Sequence, residues 1–298
     1  MHSSLPDGPV LVAVAHPGRV EQLVKTASDL ARLGSGTVQI VSVVSKPRAS
    51  PVSLYSDKTI IEQFAQETQE VIEKATQVAP DDISVEREIL VDRSVAEGLL
   101  TAINRADPAA IVIGMQEGKS RTGAIIGTNI DRLIKRAPCD LYIERVGYEA
   151  DGVDSILLPV AGGPHVHTAA VAAKAIAAHN DATVTVLSVG KAEGDTDVAR
   201  GYTDSAVAQI ENVPGPEIPV ETLLEIGEDV SDVIVETATH HDILIFGVTR
   251  QSSVRRRLVG SIPQEVVPRI DNAVVLARSS EVVSETITGR LRRLWRYP

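Results

Sequence analysis

Apolar residues along this chain follow two alternating patterns. Short apolar runs, such as VLVAV at 10–14 and IVIG at 111–114, are typical of parallel strands that are buried on both faces. Between such runs, apolar residues return every three or four positions, as in residues 20–30, which predicts an amphipathic helix that Gly34 ends. Strands that alternate with helices in this way predict an α/β fold with parallel sheets and right-handed crossovers.

The predicted elements fall into two sets with the same order. The first set has strands near 9–15, 37–44, 84–91, 109–114 and 139–145, and helices near 19–33, 58–79, 94–106 and 128–136. The second set has strands near 154–161, 182–189, 218–226, 242–247 and 272–278, and helices near 166–180, 197–211, 229–240 and 262–270. Each set predicts a five-stranded open parallel sheet flanked by helices, of the Rossmann-like kind.

The two sets also share sequence. TVQIVSV at 37–43 corresponds to TVTVLSV at 183–189, at the same place in each set. A chain of 298 residues has the length of two domains of about 150 residues each. The repeat therefore predicts two tandem domains and a C-terminal tail, at 1–147, 153–280 and 281–298.

Composition narrows the classes of function. The formal net charge is -11, which disfavours nucleic-acid binding because phosphate contacts need a basic surface. The single cysteine, Cys139, excludes an internal disulfide, suits a cytoplasmic protein and is interpreted as a core residue at the start of a strand. The first residues lack an apolar signal core, and no apolar run approaches the roughly 20 residues that span a bilayer.

Three well-known motifs of phosphate binding and catalysis are absent from the sequence. It has no GxxxxGK[ST] phosphate loop, no strand followed by GxGxxG and no GxSxG nucleophile elbow. His165 and His167 lie after the first strand of the second set, but no Cys/His cluster accompanies them, so we interpret them as turn residues and predict no metal site. The sequence predicts no catalytic residue, and at most a slow ATPase.

One loop motif occurs in both sets, after the fourth strand. It consists of two glycines 13 positions apart and a hydroxyl residue directly after the second, namely Gly114, Gly127 and Thr128 in the first set and Gly247, Gly260 and Ser261 in the second. Glycine lets backbone amides approach a phosphate, and the following helix adds its positive end. The motif predicts anion binding, with Thr128 and Ser261 as helix N-caps and Gln264 completing a capping box. The alternative is that the hydroxyls only cap helices.

This motif resembles that of the universal stress protein family, which has Gly, two residues, Gly, nine residues, Gly and then Ser or Thr. The resemblance covers nearly the whole chain, as two consecutive domains. In the ATP-binding branch of the family this loop wraps the phosphates and the ribose, so the resemblance implies ATP or AMP as the ligand. It also implies that Val43 and Val189 contact the adenine. Strands 139–145 and 272–278 would pair across an intramolecular pseudo-dimer, and a homo-oligomer is left open.

The chain departs from the family pattern at two places. Glu117 and Arg250 replace the middle glycine, although Gly118 lies one position later and is kept as a candidate. The Asp that the family usually has at the end of the first strand corresponds to Ala15 and Ala161. Losing such a polar contact costs roughly 1–3 kcal/mol of ligand binding.

Charge distinguishes the two loops. The second loop contains no acid and four arginines, Arg250, Arg255, Arg256 and Arg257. The first loop balances Lys119 and Arg121 against Glu117. Because arginine forks suit phosphates, the second loop is predicted to be the better anion site. The alternatives are a solvated loop and a contact with an acidic partner.

Two functions follow from these observations and the resemblance. The first is a regulatory adenine-nucleotide-binding module in stress response or transport regulation. The alternative is a dimerisation or interaction module that binds no nucleotide and partners a membrane transporter or an enzyme. Residues 246–267 resemble stress-protein domains fused to archaeal amino-acid permeases, and the tail at 286–298, TITGRLRRLWRYP, predicts a basic amphipathic segment that docks a partner or lies peripherally on a membrane.

Overall fold

The computed structural model describes residues 8–46, 56, 59, 65–115, 127–148, 150, 152–248 and 260–280. The strands are β1 (Val10–Ala13), β2 (Thr37–Ser45), β3 (Ser84–Asp92), β4 (Ala110–Met115), β5 (Asp140–Arg145), β6 (Ser155–Pro159), β7 (Thr183–Gly190), β8 (Val220–Ile226), β9 (Ile243–Gly247) and β10 (Ala273–Arg278). The helices are α1 (Val20–Arg32), α2 (Ala65–Gln77), α3 (Val95–Ala106), α4 (Thr128–Arg136), α5 (His165–Asn180), α6 (Thr196–Asn212), α7 (Val230–Ala238) and α8 (Ser261–Val266).

These elements confirm the predicted alternation of strands and helices. Most predicted bounds agree within two or three residues, and the helix predicted at 58–79 is described from Ala65 onwards. The helix predicted at 262–270 is shorter than expected. It ends at Val266 and continues as a 3₁₀ turn over Val267–Arg269, because the ring of Pro268 cannot donate the hydrogen bond that an α-helix needs.

All ten strands form one sheet, in the order β3-β2-β1-β4-β5-β10-β9-β6-β7-β8. Neighbouring strands are parallel within each half of the sheet, and only β5 and β10 run antiparallel, with Leu141 opposite Arg278. The predicted pairing of the two last strands is thereby confirmed. The two predicted five-stranded sheets are halves of a single sheet, and each half repeats the same strand order.

Two apolar layers cover the two faces of the sheet. One layer includes α1, α2, α5 and α6, and the other includes α3, α4, α7 and α8. Helix α5 lies in the middle of its layer and is buried on nearly all sides, through the alanines Ala169, Ala170, Ala172, Ala173, Ala175 and Ala177. A helix that is apolar all round belongs in a core, and small side chains let α1 approach it closely.

Two buried arginines connect the halves where β5 meets β10. Arg145 ends β5 and donates from Nη1 to the carbonyl oxygen of Ile270 at 2.6 Å, in the other half. Arg278 ends β10 and donates from Nη2 to the carbonyl oxygen of Ala137 at 2.9 Å, in the first half. The two residues occupy equivalent positions in the repeat. Each arginine therefore donates a hydrogen bond to a carbonyl oxygen near the end of a helix in the opposite half, where such oxygens lack a partner within the helix.

Asp29 is a buried acid on α1, with 5% of its surface exposed. Its Oδ1 accepts a hydrogen bond of 2.9 Å from Arg32, whose guanidinium also donates to Asp82 at 2.8 and 2.9 Å. Burial raises the pKa of Asp29 from 3.8 to about 7, and the opposing charge of Arg32 only partly offsets this. Between these two pH values the folded protein therefore holds a proton that the unfolded chain releases.

We expect the Asp29→Asn variant to gain stability relative to the wild type as the pH rises from about 5 to about 8. The stabilisation from the protonated acid is fully present below pH 3.8 and is lost as the pH rises through about 7. At about 1.4 kcal/mol for each pKa unit, the difference between pH 5 and pH 8 is on the order of 3 kcal/mol, because the range from pH 5 to about 7 covers roughly two of these units. Urea unfolding of both proteins at the two pH values measures it.

Asp82→Asn is the control for this experiment. Its hydrogen bonds with Arg32 lower the pKa of the exposed Asp82 carboxyl, so the substitution should give no gain in stability at the higher pH. If the stability difference between wild type and Asp29→Asn is the same at both pH values, Asp29 is ionised in the folded protein and the expectation is wrong.

Candidate functional site

A cavity opens at the carboxyl ends of β6, β7 and β9 in the second half. Its volume is about 330 Å³, which lies within the range of small-ligand sites. Four of the predicted site residues line it together, namely Val189, Gly247, Gly260 and Ser261. Open α/β sheets bind ligands at this edge, beyond the carboxyl ends of their strands.

Gly247 lets strand β9 pack directly against the start of α5. A Cβ atom at this position would lie 2.9 Å from the carbonyl oxygen and 3.0 Å from the Cβ of His165. Both distances are shorter than normal contacts, and the oxygen belongs to the backbone of a helix. The glycine therefore fixes how closely the end of β9 approaches the first turn of α5, which forms one wall of the cavity.

Gly260 has a backbone conformation that strongly favours glycine. Its φ of 82° and ψ of 163° lie in a region that residues with a Cβ rarely enter. Gly260 occupies the N-cap position of α8, and Ser261 is the first helical residue, with an exposed side chain. The prediction that Ser261 is an N-cap with a capping box to Gln264 is therefore wrong, because the glycine has taken the cap position.

The first half shows the same shift by one residue. Gly127 is the N-cap of α4 and Thr128 is the first helical residue, with no side-chain capping bond, so the predicted Thr128 cap is also wrong. Gly127 has a φ of -76°, which any residue adopts readily. The two glycines thus match in sequence but differ in how strictly their backbone requires glycine.

The other predicted residues of the first half pack against protein side chains. A Cβ atom on Gly114 would lie 2.7 Å from Cγ1 of Val146. A Cβ atom on Gly98 would lie 2.6 Å from Cγ1 of Val43, so the valine fits closely over that glycine. Val43 and Gly114 are therefore both in contact with neighbouring elements of their own half.

Several predicted features fall outside the described residues. They are Gly118, Arg250, the three arginines at 255–257 and the tail at 281–298. Their predicted roles in anion binding or docking stay predictions.

The cavity in the second half has apolar walls. Its lining includes Leu158, Val166, Leu187, Ile234 and Phe246, while Ser261 and His165 supply the polar side chains. Among the described residues that line it, none carries a carboxylate, lysine or arginine side chain. Ala161, which corresponds to the usual Asp of the resembling family, is also part of the lining. Apolar walls of this kind suit the flat, uncharged part of a ligand.

His165 is the polar side chain that the sequence interpretation placed wrongly. It is the first residue of α5, is only 5% exposed and lines the cavity, so it is not a turn residue. Its Nδ1 has no hydrogen-bond partner among the described residues. Burial lowers the pKa of His165, and the positive charge of Arg278 lowers it further, so the imidazole is neutral at pH 7.

A local signal for His165 was present in the sequence. Pro164 directly precedes it, and proline is common at the start of a helix. A helix that begins there places His165 four positions before Ala169, on the same face as a buried alanine. The proline therefore indicated that the histidine belongs to the first helical turn.

Cys139 is a core residue, as predicted from its place at the start of a strand. It is buried, and burial raises the pKa of its thiol to about 12. The thiol therefore stays protonated at physiological pH and is a poor nucleophile.

Among the helices that the structure describes, none is long and apolar enough to cross a membrane.

Comparisons with known proteins find a family model and solved structures that resemble this chain. The model of the Universal stress protein family matches residues 8–145. Over 91% of this chain and 96% of the other, the structure is similar to a universal stress protein from Archaeoglobus fulgidus DSM 4304, with 15% identity and a TM-score of 0.61. The match of residues 153–280 to the same family stays a prediction.

A second solved structure has a similar fold. It is the cytoplasmic domain of a prokaryotic cation chloride cotransporter, with 11% identity, a TM-score of 0.59, and coverage of 94% of this chain and 99% of the other. No curated protein matches the chain in sequence. At these identities the structural similarities establish the α/β fold only. Any argument about a ligand must therefore rest on the residues of the cavity.

Proposed function

We propose that this protein is a regulatory module that binds an adenine nucleotide, ATP or AMP, in the cavity of its second half. The observation that carries the proposal is the convergence of four residues from distant parts of the sequence on one cavity. Val189 lies one residue before the end of β7, Gly247 ends β9, and Gly260 and Ser261 begin the helix after the loop. The apolar interior suits the base, and the glycine at the rim suits the phosphates.

Regulation is the proposed role, and it is supported by the described part of the cavity lining, in which we identify no catalytic group. An ATPase needs a group that positions or activates water. The lining contains one buried imidazole and one exposed hydroxyl, and neither is hydrogen-bonded to a carboxylate in the described structure. We therefore propose binding without turnover, in which the ligand stabilises the loop between Gly247 and Gly260 and changes a surface that a partner contacts.

Titration calorimetry with ATP, AMP and adenosine tests this proposal, with the Gly260→Ala variant as the site mutant. We expect at least a tenfold rise in the dissociation constant, because alanine cannot adopt the backbone of Gly260 without about 1–3 kcal/mol of strain. A thermal shift of the wild type at millimolar ligand should accompany binding.

Gly127→Ala is the matched control, at the equivalent position in the first half. Its φ of -76° accepts alanine, and no atom of the described residues lies within 4 Å of a Cβ atom there, so binding in the second half should be unchanged. If the wild type binds none of the three ligands at millimolar concentration, nucleotide binding is wrong for this protein. Equal losses in both variants would place the ligand outside the second-half cavity.

A second candidate function is an interaction module that acts without nucleotide and partners a membrane transporter. The specific observation in its favour is the similar fold of the cytoplasmic domain of a cation chloride cotransporter. Ala161 in place of the usual acid also weakens the case for a nucleotide. Partner capture that is unaffected by added ATP or AMP, together with a negative calorimetric titration, would favour this candidate over the first.

A further inference from the structure

A second cavity lies between the two halves, on the face of the sheet that α1 and α5 cover. Its volume is about 290 Å³, close to the lower end of small-ligand sites. The residues that line this junction cavity come from both halves and include Asp29, Glu144, Val153, Ile176 and Val275. Ile243 of its lining begins β9, whereas Gly247 of the first cavity ends that strand. The two cavities therefore lie at opposite ends of β9.

The junction cavity occurs on one side of the junction because the two halves differ at one position. Val275 and Tyr142 hold equivalent positions, each three residues before the arginine that ends its strand. Tyr142 is fully buried, its hydroxyl donates to the carbonyl oxygen of Thr168 at 3.3 Å, and a cavity of about 10 Å³ is left beside it. Val275 is smaller and lies opposite Glu144, so the equivalent space stays open.

Asp29 is the buried acid that a molecule in the junction cavity can reach. It is 5% exposed, and its Oδ1 accepts the hydrogen bond from Arg32. Its Oδ2 accepts no hydrogen bond from the described residues and keeps some accessible surface. The carboxylate oxygens of Glu144 have almost no accessible surface, so a ligand would not contact them. Because Asp29 lines the cavity, its Oδ2 is available to a bound donor.

The charges around the junction cavity favour a cationic donor. Among the described residues that line it, the buried charged groups are the acids Asp29 and Glu144. The basic residues of this lining, Lys25 and His179, have exposed side chains. A buried carboxylate gains most from a donor that is itself charged, because such hydrogen bonds are roughly twice as strong as neutral ones.

The walls of the junction cavity favour an organic cation over a metal ion. A metal ion needs several ligands, and the described residues contain no group of three His, Cys, Asp or Glu side chains that could hold one. Apolar side chains form much of the lining, including those of Val153, Ile176, Ile243 and Val275. Such walls suit the hydrocarbon part of an amine.

We propose that the junction cavity binds a small organic ammonium ion, whose charged group meets Oδ2 of Asp29 and whose hydrocarbon part lies against Ile176 and Val275. The pKa of Asp29, raised to about 7 by burial, agrees with this, because a buried carboxyl with too little compensating charge keeps its proton. A bound ammonium supplies that charge. The site is independent of the nucleotide cavity and contacts both halves, so its ligand would stabilise their junction.

Calorimetry with benzylamine, benzyl alcohol and benzoate tests the proposal, because these probes share a ring and differ in charge. At pH 8 we expect benzylamine to bind at least tenfold more tightly than benzyl alcohol, and benzoate to bind most weakly. Asp29→Asn should raise the dissociation constant of benzylamine to that of benzyl alcohol. Asp82→Asn is the control, since Asp82 is exposed and outside the lining, and should leave the affinity unchanged.

The pH dependence of binding gives a second readout. Benzylamine should bind about tenfold more tightly at pH 8 than at pH 6, because Asp29 loses its proton in this range. The other charged or titratable groups around Asp29 are Lys25, Arg32, Asp82, Glu144 and His179. Burial lowers the pKa of His179 from 6.5, so its charge changes mainly towards lower pH. Asp29→Asn should abolish the pH dependence, and a dependence that persists in this variant overturns the role of Asp29.

Val275→Tyr tests the location of the site. It gives the second half the residue that the first half has at the equivalent position, so it should fill the cavity and abolish benzylamine binding. The affinity for ATP should be unchanged, because the nucleotide cavity lies at the other end of β9. Benzylamine binding that survives this substitution places the amine elsewhere and overturns the proposal. If the variant does not fold, Asp29→Asn decides.

The failure of this proposal is distinguishable from the failure of the proposed nucleotide function. If benzylamine does not bind the wild type at millimolar concentration, or binds no more tightly than benzyl alcohol, the ammonium site is wrong whether or not ATP binds. If benzylamine binds as expected and ATP does not, the ammonium site stands and the nucleotide function is wrong.

Discussion

The Arg278→Met variant is expected to lose about 3–5 kcal/mol of its free energy of unfolding. Arg278 is 1% exposed, and its guanidinium donates to the carbonyl oxygens of Ala137, Leu133 and Ser279. Methionine fills much of the same space but cannot donate a hydrogen bond, so buried carbonyl groups would lose a partner. Relief of the desolvation that lowers the pKa of Arg278 offsets only part of this loss.

The control for this prediction is Arg269→Met. Arg269 donates to Asp232 at 2.6 Å, but both side chains are largely exposed, so the substitution should cost less than about 1 kcal/mol. Arg145→Met should resemble Arg278→Met, because Arg145 holds the equivalent position in the first half. Urea unfolding measures all three, and equal losses at positions 269 and 278 would show that the buried arginine does not stabilise the junction of the halves.

The Gly247→Ala variant is expected to bind ATP and adenosine at least tenfold more weakly than the wild type. The added methyl group would lie 2.9 Å from the carbonyl oxygen of His165, so the start of α5 must move away from β9. This movement displaces the cavity wall that carries His165. Overpacking of this kind also costs about 1–3 kcal/mol of stability, which denaturant unfolding would detect.

Gly114→Ala is the matched control, because Gly114 holds the equivalent position in β4 of the first half. The nearest atom to its added methyl group would be Cγ1 of Val146 at 2.7 Å, the end of a side chain that can move more easily than a helix backbone. We expect a smaller loss of stability and an unchanged affinity in the second half. Unchanged affinity in Gly247→Ala, measured by titration calorimetry, would mean that the position of α5 does not shape the binding site.

Much of the fold could be predicted because its signals are local. The apolar runs, the helical spacing and the ends of elements at glycine and proline depend on neighbouring residues, and the elements lie close to the predicted positions. The repeat then indicated two halves with the same order of elements. The pairing of 139–145 with 272–278 came from the family resemblance, and the antiparallel register of β5 and β10 confirms it.

The candidate site could be predicted only in part. Gly247, Gly260 and Ser261 of the glycine motif line one cavity in the second half, and their role in ligand binding stays a prediction, while the caps were misplaced by one residue at Thr128 and Ser261. Cap identity depends on the backbone angles around a glycine, and the sequence pattern does not fix these. His165 was missed as a buried residue, because its environment is made by Gly247, far away along the chain.

The sequence by itself determined where strands and helices lie and that their order repeats. The periodicity of apolar positions carries that information within short stretches of chain. Only the tertiary structure decided that the second half presents a ligand-sized cavity with His165 in its wall, while Val43 and Gly114 pack against their own half. Such differences depend on contacts between residues far apart in sequence, where tenths of an ångström decide whether a side chain fits.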